Sequence, residues 1–252
     1  PFDHACYMDM APEDKGENVR REICLTLESM GILPESSHHE EGPGQNEIDF
    51  RYSDAMTAAD NALLFASTVR AVAVSNGLYA DFSPKPIPGE AGNGLHINIS
   101  LKTEEGSHLN QHFMAGILDH IREMTAFLNP TENSYRRLGE KKAPRFVTWS
   151  PGNRSQLIRI PAAQGEYKRM ELRSPDPTVN PYLAYALVIF AGLDGVKRKL
   201  LPPEPLNVNM YTAGPEITDA LETLPGSLAE ARKLARESEF IRSVLPEGLW
   251  KE

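Results

Sequence analysis

The sequence predicts an α+β fold in which antiparallel strands are grouped between helices, not a doubly wound series of parallel strands. Three observations carry this. Residues 166–173 alternate with period two, so Arg169, Glu171 and Arg173 share one strand face while Met170 and Leu172 share the other. A second run repeats the pattern after Gly92-Asn93-Gly94, with Leu95, Ile97, Ile99 and Leu101 on one side and His96, Asn98 and Ser100 on the other. Apolar runs at helical spacing frame these strands, with no internal repeat and no low-complexity linker.

In chain order, Val19, Ile23, Leu27 and Met30 give a helix over 17–30 that Gly31 closes. An Ala-rich helix over 54–75 starts at an Asp54 cap and ends near Gly77. The Pro-rich stretch 83–89 leads to the strand at 95–101, and an amphipathic helix over 111–128 stops at Asn129-Pro130. A polar loop is expected over 131–145, then short strands near 146–149, 156–160 and 168–173, separated by Pro and Gly. A largely buried helix over 182–199 ends in Lys197, Arg198 and Lys199, charges suited to a helix C-terminus, and a charged helix near 227–243 follows.

The chain has 252 residues, 24% charged and 40% hydrophobic, enough for one large layered domain. A formal charge of −9 argues against nucleic acid or an anionic membrane as partner. Any phosphate must then be held by a local group of arginines, which points to a small phosphorylated ligand. Cys6 and Cys24 form neither a disulfide framework nor a zinc spacing, and no stretch nears the roughly 20 apolar residues that span a bilayer. A reducing, cytoplasmic setting is expected.

Either alternating strand alone reads as a solvated face with a cross-strand ion pair. A third segment changes that reading. In His38-His39-Glu40-Glu41-Gly42-Pro43-Gly44-Gln45-Asn46-Glu47 the Gly-Pro-Gly turn joins two extended stretches, so a hairpin brings Glu40 and Glu47 together. The adjacent histidines point to opposite faces and cannot both ligate one ion. Glu40, Glu47, His96 and Glu171 make a ligand set suited to Mg²⁺ or Mn²⁺ rather than structural zinc. Arg137, Arg154, Arg159, Arg169 and Arg173 cluster in or beside the predicted strands of 131–173, where guanidinium forks suit capture of phosphate and carboxylate. Metal ions with arginines are the equipment of phosphoryl transfer, although no Walker A motif or kinase Gly-rich loop is present.

These segments closely resemble the signature stretches of the glutamine synthetase catalytic domain. The resemblance lies in 38–47, in Pro84-Lys-Pro-Ile-Pro-Gly-Glu-Ala-Gly-Asn-Gly-Leu-His96, in Asn153-Arg-Ser-Gln-Leu-Ile-Arg-Ile-Pro161 and in Arg169-Met-Glu-Leu-Arg-Ser-Pro-Asp-Pro-Thr-Val-Asn-Pro-Tyr-Leu183. It runs from about Tyr7 to the last residues, taking in Ala191-Gly-Leu-Asp-Gly-Val-Lys197. It implies a curved antiparallel sheet with flanking helices, the guanido-kinase-like architecture, over 1–252. By position it implies Glu40 and Glu47 as ligands of one metal and His96 and Glu171 as ligands of the metal on the ATP phosphates. Arg159 and Arg169 would contact the nucleotide phosphates, Arg154 the transferring phosphoryl group, and Glu35, Asn98 and Ser100 would lie near the nucleotide. Arg137, Arg173 and the Gly92 backbone would hold the substrate carboxylates. The implied reaction makes glutamine from glutamate and ammonia through a γ-glutamyl phosphate, at the expense of ATP.

The family's smaller N-terminal β-grasp domain and its early Glu-x-Glu metal strand do not occur in these 252 residues. The family's flap carries a catalytic glutamate; here the run Leu138-Gly-Glu-Lys-Lys-Ala-Pro144 is one residue shorter, with Lys142 at that position and Glu140 nearby as a substitute. Ala91 stands where the family commonly has Asn. Two alternatives therefore accompany the main reading: a γ-glutamyl ligase for a larger amine or polyamine, and a non-catalytic paralogue. The resemblance further implies a homo-oligomeric stack of rings, a dodecamer; Tyr211 lies near where some bacterial members carry an adenylylated tyrosine, but its surroundings depart from that pattern and an ordinary loop tyrosine is expected.

Overall fold

The computed structural model describes residues 1–101, 107–163, 165 and 168–250. The chain divides into two compact units, Pro1–Phe82 with Ile87–Ala91, and Ser83–Pro86 with Gly92–Glu252.

In the first unit, helix α1 (Glu17–Ser29) ends at Met30 and Gly31, the latter at a φ of 85° that only glycine takes without strain. Strands β1 (Pro34–His39) and β2 (Asn46–Phe50) form an antiparallel hairpin in which His38 pairs with Glu47 and His39 with Asn46. Helix α2 (Ala55–Ser75) starts as expected at Asp54, whose carboxylate accepts from Met56 N at 3.1 Å and Thr57 N at 3.2 Å. Ile23 and Leu27 of α1, Ile32 and Val72 form this unit's core, with Ile48, Phe50 and Phe65 packed against it. Below the hairpin, Arg20 donates to Asp14 at 2.7 Å with both side chains almost wholly buried.

The second unit is built on a four-stranded sheet in the order β3 (Ile97–Ile99), β6 (Met170–Leu172), β5 (Ile158–Ile160), β4 (Trp149–Pro151). β3–β6 and β6–β5 are antiparallel, whereas β4–β5 is parallel, so one edge departs from the expected antiparallel pattern. The cause is the loop between them. Asn153 Oδ1 accepts from Ser155 N at 2.9 Å and Ser155 Oγ at 2.8 Å, folding 152–157 so tightly that the chain returns to the start of the ladder. Helix α3 (Ser107–Leu128) supplies Phe113, Ile117, Ile121, Met124 and Leu128 to the core, and these meet Leu187, Val188 and Ala191 of α5 (Pro181–Arg198). At the α3–α5 crossing a Cβ on Gly116 would collide with Ala191 O, and one on Gly192 with the Phe113 ring, so the helices approach backbone to backbone.

Three expectations change. The predicted loop 131–145 contains α4 (Glu132–Arg137), opened by a reciprocal cap between Thr131 and Ser134. The helix expected over 227–243 is two, α7 (Leu228–Glu237) and α8 (Glu239–Val244), because the Ser238 hydroxyl accepts from Ile241 N at 2.9 Å and starts a second helix. A short α6 (Pro215–Thr218) precedes them. The strands are also shorter than expected: 168–173 reduces to 170–172, and residues 166 and 167 lie outside the described residues. Among the described residues, no helix is long and apolar enough to cross a membrane.

Candidate functional site

Leu172 is wholly buried and Met170 is 4% exposed, so β6 places its apolar face on the core as the alternation requires. The opposite face is not wet. Glu171 and Arg173 are also buried, at 7% and 3% exposure, and only Arg169 is open to solvent. Register puts Asn98 of β3 and Arg159 of β5 on either side of Glu171. Glu171 Oε2 accepts from Arg159 Nη1 at 2.9 Å and lies 3.1 Å from Arg173 Nη1, while Oε1 lies 3.4 Å from His96 Nδ1. Arg169 Nε donates to Asn98 Oδ1 at 2.9 Å. Five polar residues, His96, Asn98, Arg159, Arg169 and Arg173, are thus gathered around the Glu171 carboxylate.

Burial would raise the Glu171 carboxyl, but its hydrogen bond with His96 and the charges of Arg173 and Arg159 outweigh it and hold Glu171 well below the usual carboxylate range. Burial lowers His96 against the pull of Glu171 and keeps the imidazole neutral, the form that ligates metals. The Nε atoms of Arg159 and Arg173 are buried donors without an acceptor among the described residues. Buried donors of this kind fit an anion.

Next to this cluster, α4 presents Arg137 at its last residue, 2% exposed. Its Nη1 donates to Ser174 O at 2.7 Å and its Nη2 to Arg173 O at 3.1 Å. Burial lowers Arg137 to about 10, opposed by the charge of Asp176 and reinforced by that of Arg173. Gly92 and Gly94 face it across a narrow gap. A Cβ on Gly92 would lie 2.5 Å from Pro84 O and 2.9 Å from Arg137 Cγ; one on Gly94 would lie 2.7 Å from Arg137 Nη2 and 2.9 Å from His96 Nε2. Only glycines leave this cradle open.

The first unit holds a separate donor set. The Nε2 of His38 is 3.6 Å from Glu47 Oε2, and His38, Glu40 and Glu47 each place a donor atom within 4.8 Å of the others. Burial and the nearby carboxylates of Asp49 and Glu40 push the Glu47 carboxyl up to about 8, a crowding that a cation would relieve. The donor set, two carboxylates and an imidazole, fits a hard divalent ion. His38 was not among the sequence candidates; the signal was its register opposite Glu47 in a hairpin. His39 points the other way, wholly buried, its Nε2 2.9 Å from Asp3 Oδ1.

The remaining candidates lie more openly. Arg154 is exposed in the 152–157 loop, Ser100 is exposed just past β3, and Glu35 is exposed on β1. Glu140 is exposed, its Oε2 3.9 Å from the buried Lys85 Nζ, while Lys142 takes a left-handed φ of 60° and its carbonyl accepts from Arg173 Nη2 at 3.3 Å. Ala91 is buried in the first unit and Tyr211 is 41% exposed in a turn.

Comparison with known proteins gives a consistent result. The family model described as glutamine synthetase, catalytic domain, matches residues 1–252. Glutamine synthetase of Thermus thermophilus is 46% identical over 263 residues, covering 98% of this chain and 59% of that protein. Glutamine synthetase of Staphylococcus aureus strain MW2 is 44% identical, covering 99% of this chain and 59% of its own length. Among solved structures, a GmaS complex with ADP superposes with a TM-score of 0.89 at 32% identity, over 98% of this chain and 61% of that one. Plasmodium falciparum glutamine synthetase superposes with a TM-score of 0.84 at 28% identity, over 99% and 58%. The chain spans a little under three fifths of the length of the curated relatives it matches.

Proposed function

Because this chain belongs to the glutamine synthetase family through its catalytic domain, we propose that the protein it forms part of ligates ammonia to glutamate, using ATP to activate the side-chain carboxylate. The observation that carries this reading is the pairing of two almost fully buried guanidiniums, Arg137 and Arg173, with a glycine cradle at Gly92 and Gly94. Buried, pre-aimed guanidiniums capture a carboxylate by paired charge-assisted hydrogen bonds and cost little reorganisation when it arrives. Arg159 of β5 and Arg169, whose Nε donates to Asn98 of β3, offer donors for nucleotide phosphates, a reading that the ADP-bound GmaS relative supports. Arg154, exposed on its loop, serves the transferring phosphoryl group, and Ser100 and Glu35, each within its own unit, are assigned to the nucleotide.

His96 and Glu171 would hold one Mg²⁺ or Mn²⁺, and Glu40 and Glu47, with His38 beside them, another. Bound divalent ions supply charge neutralisation between two anionic reactants. The residues supply position: a carboxylate held by Arg137 and Arg173 beside phosphate-binding arginines replaces a bimolecular encounter with a fixed geometry. Phosphorylation makes one carboxylate oxygen a leaving group, which an amine can then displace. A homo-oligomeric ring, dodecameric when whole, and a cytoplasmic setting complete the proposal; the free thiols of Cys6 and Cys24 suit a reducing compartment.

A second reading, ligation of a larger amine, is favoured by one feature. Glu140 is engaged with Lys85, and Lys142 occupies the flap position where a carboxylate would receive ammonium. Glutamate-dependent phosphate release from ATP by the intact gene product, with ammonium beside alkylamines and polyamines, decides between them. Turnover with ammonium supports glutamine synthesis, turnover only with larger amines supports the second reading, and silence with all of them overturns both.

A further inference from the structure

Behind the carboxylate-binding arginine lies a buried acid to which no role has been given. Asp176 is wholly buried, as is Asn129 at the end of α3. The Asp176 carboxylate accepts from Asn129 Nδ2 at 2.9 Å, from Thr178 N at 3.0 Å and from Thr178 Oγ1 at 2.5 Å. The same Asn129 amide donates to Ser174 O at 2.8 Å, the carbonyl that also receives Arg137 Nη1. Asp176 N donates to Leu128 O at 3.2 Å, and Leu95 N to Pro175 O at 2.9 Å. The segment 173–176 is therefore tied to α3 on one side and to the start of the His96 run on the other, while its carbonyls at 173 and 174 hold Arg137.

We propose that Asp176 is a positioning residue for substrate: through Asn129 and the shared Ser174 carbonyl it fixes the Arg137 guanidinium for capture of the substrate's carboxylate. The proposal rests on the reading of Arg137 as a carboxylate-binding residue. Two physical effects combine. The hydrogen bonds make the carbonyl pair at 173–174 a rigid socket, so Arg137 loses little further freedom on binding. The charge of Asp176 also acts on a guanidinium for which no direct carboxylate contact is present among the described residues, whereas Arg173 has Glu171 at 3.1 Å. A neighbour that neutralises without a direct contact leaves to substrate the N–H donors of Arg137 that the carbonyls at 173 and 174 do not use.

Asp176→Asn in the intact protein keeps shape and removes charge. The expected result is a KM for glutamate raised about tenfold, the size of weakening one charge-assisted contact, with the KM for ATP within about twofold of wild type. Thr178→Val, which removes one hydrogen bond without changing charge, is expected to raise the glutamate KM by about threefold and to decide the matter if Asp176→Asn does not fold. Equal changes in both KM values, or unchanged glutamate KM in a folded variant, overturn the positioning role. Failure of wild type itself to use glutamate overturns the underlying reading instead, so the two failures are distinct.

Discussion

Arg173 Nη1 lies 3.1 Å from Glu171 Oε2, and both side chains are more than nine-tenths buried. The same oxygen accepts from Arg159 Nη1 at 2.9 Å, so one carboxylate balances two guanidiniums where water cannot help. Removing one partner of such a group leaves an uncompensated buried charge, which typically costs about 3–5 kcal/mol. Glu171→Ala is therefore expected to lower thermal stability strongly and to abolish ATP-dependent phosphate release. Glu171→Gln, which keeps the shape, is expected to fold better yet stay inactive; full activity in that variant would remove Glu171 from the site.

Gly94→Ala tests the cradle. The added methyl meets Arg137 Nη2 at 2.7 Å and His96 Nε2 at 2.9 Å, so both side chains must shift. Overpacking of this kind costs about 1–3 kcal/mol. Turnover is expected to fall by more than the change in melting temperature would explain, with the glutamate KM rising first. Steady-state kinetics beside a thermal melt check it.

The hairpin set can be read by metal addition. Mn²⁺ is expected to raise the melting temperature of wild type through ligand-linked stabilisation. In Glu47→Gln, which withdraws one donor from the group of His38, Glu40 and Glu47, the shift should shrink. An equal shift in the two proteins would place the ion elsewhere.

His120 sets a pH dependence. Its Nδ1 lies 2.8 Å from Glu123 Oε1 and its Nε2 2.8 Å from Asp194 Oδ2, and its ring stacks on Phe240 at 3.9 Å between centroids. Burial lowers its pKa, but the bonds and charges of Glu123, Asp194 and Asp119 prevail and raise it above the ordinary 6.5. A folded pKa above the unfolded one means that the native state binds more protons, so this stability is fully present below about 6.5 and is lost as pH rises through the folded value. Melts across mildly acidic to alkaline pH should show that decline in wild type and a flatter profile in His120→Gln.

Ser238→Ala should cost about 1 kcal/mol, the usual worth of an N-cap, because its hydroxyl accepts from Ile241 N at 2.9 Å. Urea melts measure it; no change would make the break between α7 and α8 a matter of packing alone.

Much of this site is legible from residue order. Period-two alternation finds the strand faces of His96, Asn98, Glu171 and Arg173, and Gly42-Pro43-Gly44 finds the hairpin that joins Glu40 to Glu47. Burial of the polar face is not legible, because alternation separates two faces without saying what covers each; Glu171 meets Arg173 of its own run but also Arg159 of β5, a partner from another strand. Helix α4, which aims Arg137, escapes detection because Ser134 occupies the position where a Glu or Gln normally marks a capping box. The parallel β4–β5 edge depends on side chain to backbone bonds within Asn153-Arg-Ser155, a local preference that no periodicity records. Asp176 likewise sits in a Pro-Asp-Pro run that reads as a turn, and its connection to Arg137 passes through Asn129, 47 residues away.

The backbone contact between α3 and α5 has a consequence for how this chain tolerates change. Gly116, Gly192 and Gly195 have no space for even one methyl group: at Gly116 and Gly195 it would strike main-chain atoms that cannot rotate aside, and at Gly192 the buried ring of Phe113. In a survey of every single substitution scored for soluble protein, these three columns should be blank from alanine to tryptophan, whatever ligand or assay is used. Shape-keeping changes around the arginines, such as Glu171→Gln, should show the opposite pattern, with protein retained and turnover lost. The two patterns would separate, residue by residue, what this chain needs in order to exist from what it needs in order to work.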